Sequence, residues 1–182
     1  MIAEAVLADG TGALIWPLNH GDRAALREGY EHLSESARYH RFLAWVPHLN
    51  GALLDQLVDG VDGVDHVALA LVVLDDEHDG EPVGVARMIR YEDQPNAADV
   101  AVTVLDEWQG RGVATALLDE LMRQRPAGVT RVVTTVASDN AASLAMLRRL
   151  GEITVTPAGI NRVDVVVDLP IPAATEVENS DA

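Results

Sequence analysis

The apolar positions of this 182-residue chain change period several times, and each change marks an element. Val6 and Leu7 precede Asp9-Gly10-Thr11-Gly12, and Leu14-Ile15-Trp16 follows it, which predicts a hairpin over residues 3–18. Asp22 then caps an expected helix running to about residue 33, with Ala25, Leu26, Gly29 and Leu33 inward. Ser34-Glu35-Ser36 opens a second short helix carrying Tyr39, His40, Phe42 and Leu43, stopped by Pro47; a third piece covers about 52–58. From His66 the period changes. Val67-Ala68-Leu69-Ala70-Leu71-Val72-Val73-Leu74 is a continuous apolar run, as a strand covered on both faces requires. An acidic turn over 75–80 leads to a partner strand over 82–91, then a polar loop over 92–98. Val100, Val102 and Val104 next alternate with Asp99, Ala101 and Thr103, the period of a strand.

The stretch 108–118 is the pivot of the pattern. Trp108-Gln109-Gly110-Arg111-Gly112 reads as a glycine turn, and Ala114, Leu117, Leu118 and Leu121 then recur at helical spacing. Strand, glycine turn and helix in that order aim backbone N–H groups at one point, with the positive end of the helix dipole behind them. Such a turn seats an anion, although it is also a plain tight connection in many folds. A P-loop needs lysine after its glycines, and this chain has none. A dinucleotide fold needs a third glycine where Thr115 stands, and more strands than remain. Those strands are expected at 131–136, 153–156 and 160–169. A helix capped by Ser138-Asp139-Asn140 and closed by Gly151 lies among them, and Pro157-Ala158-Gly159 turns the last pair. Residues 1–170 thus read as a single domain, and 171–182 as a flexible acidic tail.

Composition narrows the partners. All thirteen basic residues are arginine, and the formal charge of −16 argues against nucleic acid or an anionic membrane surface. It suits a cationic acceptor, and it equally suits a chain whose composition is acidic throughout. No apolar run approaches the ~20 residues of a membrane helix. Met1-Ile2-Ala3-Glu4 has no basic n-region, so a cytoplasmic location is the expectation. Cysteine is absent, which excludes thiolate catalysis, and the six histidines show no metal-ligand spacing.

Gln109-Gly110-Arg111-Gly112-Val113-Ala114 before an amphipathic helix resembles the Gcn5-related N-acetyltransferase (GNAT) superfamily. Asp139-Asn140, leading into a helix that ends at Gly151, resembles that family's second cofactor segment. Val6-Leu7-Ala8-Asp9-Gly10, Trp16-Pro17-Leu18, residues 33–42 and Gly84-Val85-Ala86-Arg87 are similar to bacterial Pat-type protein lysine acetyltransferases. The resemblance implies an α+β GNAT fold: a mixed, mostly antiparallel sheet with flanking helices and a splayed central strand pair. It implies acetyl-CoA as co-substrate, no metal, and an amine acceptor, either a protein lysine or a small molecule. Oligomeric state is not encoded in any spacing, and a homodimer stays open.

The resemblance also assigns roles. The amides of Gly112, Val113, Ala114 and Thr115 would receive the cofactor's diphosphate, with Gln109 and Gly110 shaping the turn and Arg111 adding charge. Val102, Thr103 and Val104 would offer backbone to the pantetheine arm, and an N–H near Val102 would steady the thioester oxyanion. Asn140 would contact the arm or cap its helix, or both. Asp99 sits where the family's lysine acetyltransferases carry Glu and would take the ammonium proton, directly or through water; the same residue also reads as a solvated strand-end carboxylate. Arg38, His40 and Arg41 either line the acceptor side or brace two helices. Leu147 occupies the place of the family's usual tyrosine acid, so the leaving thiolate must find its proton elsewhere; free thiols ionise near ~8.5. That departure, with Asp for Glu, also fits a catalytically weak CoA-binding regulatory module. Lacking lysine, the chain has no side-chain amine of its own to acetylate.

Overall fold

A computed structural model describes residues 3–74, 80 and 82–170. The expected acidic turn at 75–80 and the tail at 171–182 lie almost wholly outside the described residues. Eight strands form one sheet: β1 (Ala3–Val6), β2 (Gly12–Pro17), β3 (His66–Leu74), β4 (Pro82–Arg90), β5 (Ala97–Val104), β6 (Arg131–Ala137), β7 (Glu152–Pro157) and β8 (Arg162–Asp168). Their order is β1-β2-β3-β4-β5-β6-β8-β7. Every pairing is antiparallel except β5 with β6. The helices are α1 (Arg23–Glu31), α2 (Glu35–Phe42), α3 (Gly51–Val58), α4 (Val113–Arg123) and α5 (Ala141–Arg148). This is the mixed, mostly antiparallel α+β architecture that the sequence implied.

The apolar run of β3 is buried from Val67 to Val73 because both sheet faces are covered. On one face Val113, Leu117, Leu118 and Leu121 of α4 pack against Leu69, Leu71, Ala86, Met88 and Val100. The other face carries α1–α3, whose Leu26, Leu57 and Val58 meet Ala68, Ala70 and Val85. The alternating side chains of β3 and β4 thus divide cleanly between the two layers.

Two details differ from the periodic reading. Val113, not Ala114, takes the first inward place on α4, which leaves Ala114 facing a cleft. Gly151 does not close α5: the helix ends at Arg148, and a side chain at 151 would collide with the Asp168 carbonyl of β8.

The parallel pair is the functional irregularity. β5 and β6 bond only through Ala97↔Arg131 and Ala98↔Val132, and then part. Those two alanines are buried and begin the strand two residues before the expected start. Beyond them lies a wedge of about 280 Å³.

Candidate active site

The turn after β5 is set by two glycines in left-handed conformation, Gly110 at φ 75° and Gly112 at φ 96°. Beside it, the Arg111 guanidinium stacks 3.8 Å from the centre of the Trp108 ring, ion-pairs with Asp9 and reaches the Thr11 hydroxyl. The Thr11 amide first, and Arg111 next, hold the Asp9 carboxyl down at about 2. The Ala8 amide donates to the Arg111 carbonyl at 2.9 Å, so the β1–β2 hairpin clasps the turn. Arg111 is thereby neutralised and does not line the cleft, contrary to the expectation that its charge would face the anion. The reason for glycine at 112 also changes: its missing Cβ leaves room for Ala8, whose nitrogen would stand 3.0 Å away.

The amides from Gly110 to Thr115 have no backbone acceptor among the described residues; the first return bond of α4 is Ala116 N–H to Gly112 C=O. All of these residues but Arg111 line a cleft of about 610 Å³, together with Val102, Thr103, Val104, Gln109 and Asn140. Every sequence-expected cofactor residue except Arg111 therefore lines one cavity. Across the cleft, Arg149 places its guanidinium 2.9 Å from the Thr115 hydroxyl, adding the cation that Arg111 does not supply. Sequence reading missed Arg149; the available signal was a cation one helix away from the glycine turn in a strongly acidic chain.

Strand phase decides which backbone groups face the splay. Leu105 N–H donates to the Val83 carbonyl, so Thr103, Ala101 and Asp99 exchange bonds with β4. Val100, Val102 and Val104 therefore turn their N–H and C=O groups to the open edge. Gln109 holds a long 3.4 Å contact to the Val104 carbonyl there. Asn140 spends its side-chain oxygen on the Ser143 amide at 3.0 Å, a helix cap, and its amide nitrogen has no acceptor among the described residues.

Asp99 opens into the wedge with Arg41, Tyr91, Ser143 and Leu147. Its carboxylate has no hydrogen bond or ion pair among the described residues. The Tyr91 hydroxyl donates to the Val133 carbonyl at 3.0 Å, and burial followed by the Asp99 charge pushes its pKa up. It is a neutral phenol, ill-suited to give up a proton. Leu147 is buried, so the usual tyrosine position offers only an apolar wall. One turn earlier, Ser143 is the hydroxyl shared by wedge and cleft among the described residues. Of the α2 trio, Arg38 braces the helices through the Pro47 and Glu31 carbonyls, while His40 and Arg41 line both cavities.

No group of three or more potential metal ligands occurs among the described residues, and no described helix is long and apolar enough to cross a membrane. The amide-bearing turn, the open edge of β5 and the Asp99 carboxylate thus border two neighbouring cavities that share His40, Arg41, Val102, Ser143 and Met146. The family model described as Acetyltransferase (GNAT) family matches residues 26–151, and the chain belongs to that family.

The chain is 35% identical over 118 residues to an acetyltransferase of Pseudomonas aeruginosa, 64% of this chain and 61% of that protein. It is 32% identical over 155 residues to the acetyltransferase Pat of Mycolicibacterium smegmatis, 85% of this chain and 45% of that one. It thus spans about half the length of these curated relatives. The GNAT domain of S. lividans PAT superposes with a TM-score of 0.80 at 29% identity, covering 92% of this chain and 97% of that domain.

Proposed function

We propose that this chain transfers the acetyl group of acetyl-CoA to an amine by direct attack in a ternary complex. The carrying observation is continuity: acceptor-free amides at 110–115 lead along the open edge of Val102 and Val104 to the unpaired carboxylate of Asp99. The diphosphate of acetyl-CoA lies against those amides and Arg149, and its pantetheine arm pairs with the open edge as an added strand. The Val102 N–H donates to the thioester carbonyl oxygen and stabilises the oxyanion. Asp99, directly or through one water, takes a proton from the ammonium, and the freed nitrogen lone pair attacks the carbonyl carbon. Collapse breaks the C–S bond, and the second proton of the attacking nitrogen passes to the departing sulfur through the Ser143 hydroxyl, leaving an amide and the CoA thiol. No cysteine is present to carry the acetyl group in between.

The likeness to Pat-type enzymes supports a protein lysine as acceptor. The wedge of about 280 Å³ that Asp99 lines supports a small amine instead. A CoA-binding module without turnover is the outcome if no thiol is released. The test follows CoA release with a lysine peptide and a panel of small amines. Asp99→Asn should lower kcat about 100-fold while the acetyl-CoA Kd stays unchanged; unaltered turnover removes Asp99 from the mechanism.

A further inference from the structure

Six of the thirteen arginines in this acidic chain are neutralised where they stand. Arg23, Arg38, Arg90, Arg111, Arg123 and Arg131 each lie within 4.0 Å of a carboxylate. Two arginines at the heart of the molecule are not. Arg41, in the last turn of α2, has no hydrogen bond or ion pair among the described residues; its guanidinium lies over the Phe42 ring, 4.8 Å from the ring centre. Arg87, in β4, is 4% exposed and donates to the Leu57 carbonyl at 3.0 Å. Its same nitrogen lies 3.3 Å from His66 Nε2, which makes His66 the neutral acceptor of that contact. Neither arginine has a carboxylate partner among the described residues.

Buried cations are ordinarily paired, because desolvation without a counter-charge is costly. Burial and the nearby Arg41 charge lower the Arg87 guanidinium to about 9, so it is still a cation at neutral pH. Burial lowers Arg41 as well, and the Asp99 charge opposes the fall.

Both arginines border a further cavity of about 170 Å³ between α1–α3 and the sheet, walled by Trp16, Leu26, Phe42 and Val85. Arg41 lines this cavity, the wedge and the cofactor cleft together. Arg41 is therefore a wall common to the apolar cavity and to the wedge that Asp99 lines. Across the wedge from it stands Asp99, an anion beyond ion-pairing distance. The site has one fixed positive end and one fixed negative end.

We infer that Arg41, backed by Arg87, receives a carboxylate carried by the acceptor, so that the acceptor is a small amino acid rather than a simple amine. Its carboxylate occupies the donors of Arg41, its apolar body fills the cavity under α1–α3, and its amine faces Asp99 and the thioester. The inference rests on the transfer reading above and names the substrate class of that same site. Bond making is unchanged: the amine forms the amide, and the carboxylate takes no part in the chemistry.

The test compares amino acids with their decarboxylated and amidated counterparts as acceptors, using acetyl-CoA and reading CoA release. Amino acids should exceed the matched amines about 100-fold in kcat/KM, chiefly through KM. Arg41→Gln should erase that ratio by loss of the amino-acid rate. The exposed Arg27→Gln removes the same charge and should leave the ratio intact. Should Arg41→Gln fail to fold, the wild-type protein decides: an amine-free carboxylate of matched body should inhibit competitively against the acceptor, and its amide should not.

Equal use of acids and amines, an undiminished ratio in Arg41→Gln, or preference for a lysine peptide with blocked carboxylates would each overturn the assignment. So would a preference for succinyl-CoA over acetyl-CoA with neutral amines, lost in Arg41→Gln, since the carboxylate would then belong to the acyl chain. Absence of CoA release with every amine overturns the transfer reading itself.

Discussion

Gly112 answers to two independent constraints, and they separate it from its neighbour Gly110. Both glycines have positive φ, but a Cβ at 110 would meet open space whereas one at 112 would press on the Ala8 backbone. Gly110→Ala therefore carries conformational strain alone, about 1 kcal/mol. Gly112→Ala adds the collision and should cost about 2–3 kcal/mol, read from denaturant unfolding. It should also raise the acetyl-CoA Kd at least about tenfold, measured by titration, because shifting the turn disperses the amides that face the cleft. Equal losses for the two variants would show that the hairpin does not hold the turn. Arg111 belongs to the same clasp, since its guanidinium serves Asp9, Thr11 and Trp108.

Among elements, β3 and β4 carry a pH-sensitive contact on the face away from α4. Burial, and then the Arg87 charge, lowers the pKa of His66 below its ordinary 6.5. Between the two values the unfolded chain binds more protons than the folded one, so stability rises with pH through this window. Acidification from about pH 7 to 5 should therefore lower Tm, as His66 takes on a proton against Arg87 and ceases to accept from it. His66→Gln retains an acceptor without the titration, and its Tm should stay flat over that interval. A drop of the same size in the variant would assign the effect to other groups. α2 is the second element with a defined role, anchored at its start by Ser34 to the Asp106 carboxylate. At its far end, His40 lies 3.4 Å from Asp139 and Arg162 donates to the Leu43 carbonyl. Those ties span the splay and hold Arg41 over the wedge.

For the whole molecule, the proposed coenzyme site spans β5, the glycine turn and α5, so binding there would draw on both halves of the sheet. Acetyl-CoA at 100 times its Kd should add about 2.7 kcal/mol to unfolding, visible as a rise in Tm. The rise should shrink at equal ligand concentration in Arg149→Ala, which lacks the cation beside Thr115, and persist in Asp99→Asn. An unshifted Tm in the wild type would contradict the cleft as a coenzyme site.

Local chemistry made much of this legible in the sequence. Alternation in residues 99–104, the glycine turn and the helical spacing after it each depend on neighbours within one turn or pleat. The proposed cofactor seat could accordingly be read as strand, turn and helix, and the absence of lysine and cysteine removed rival chemistries outright. What the tertiary structure decided is which charges are already spent. Arg111 looked free in its motif, yet Asp9, over one hundred residues away in the chain, neutralises it; Arg149 carried no signal of its own and Arg41 read equally as an acceptor-side residue or a helix brace, yet the fold leaves both without carboxylate partners among the described residues, at the cleft and the wedge. The role of Gly112 likewise depended on Ala8, and that of Gly151 on Asp168. Pairing of charges and close approach of backbones are long-range facts, set by sheet order and helix placement, and no local period of the sequence carries them.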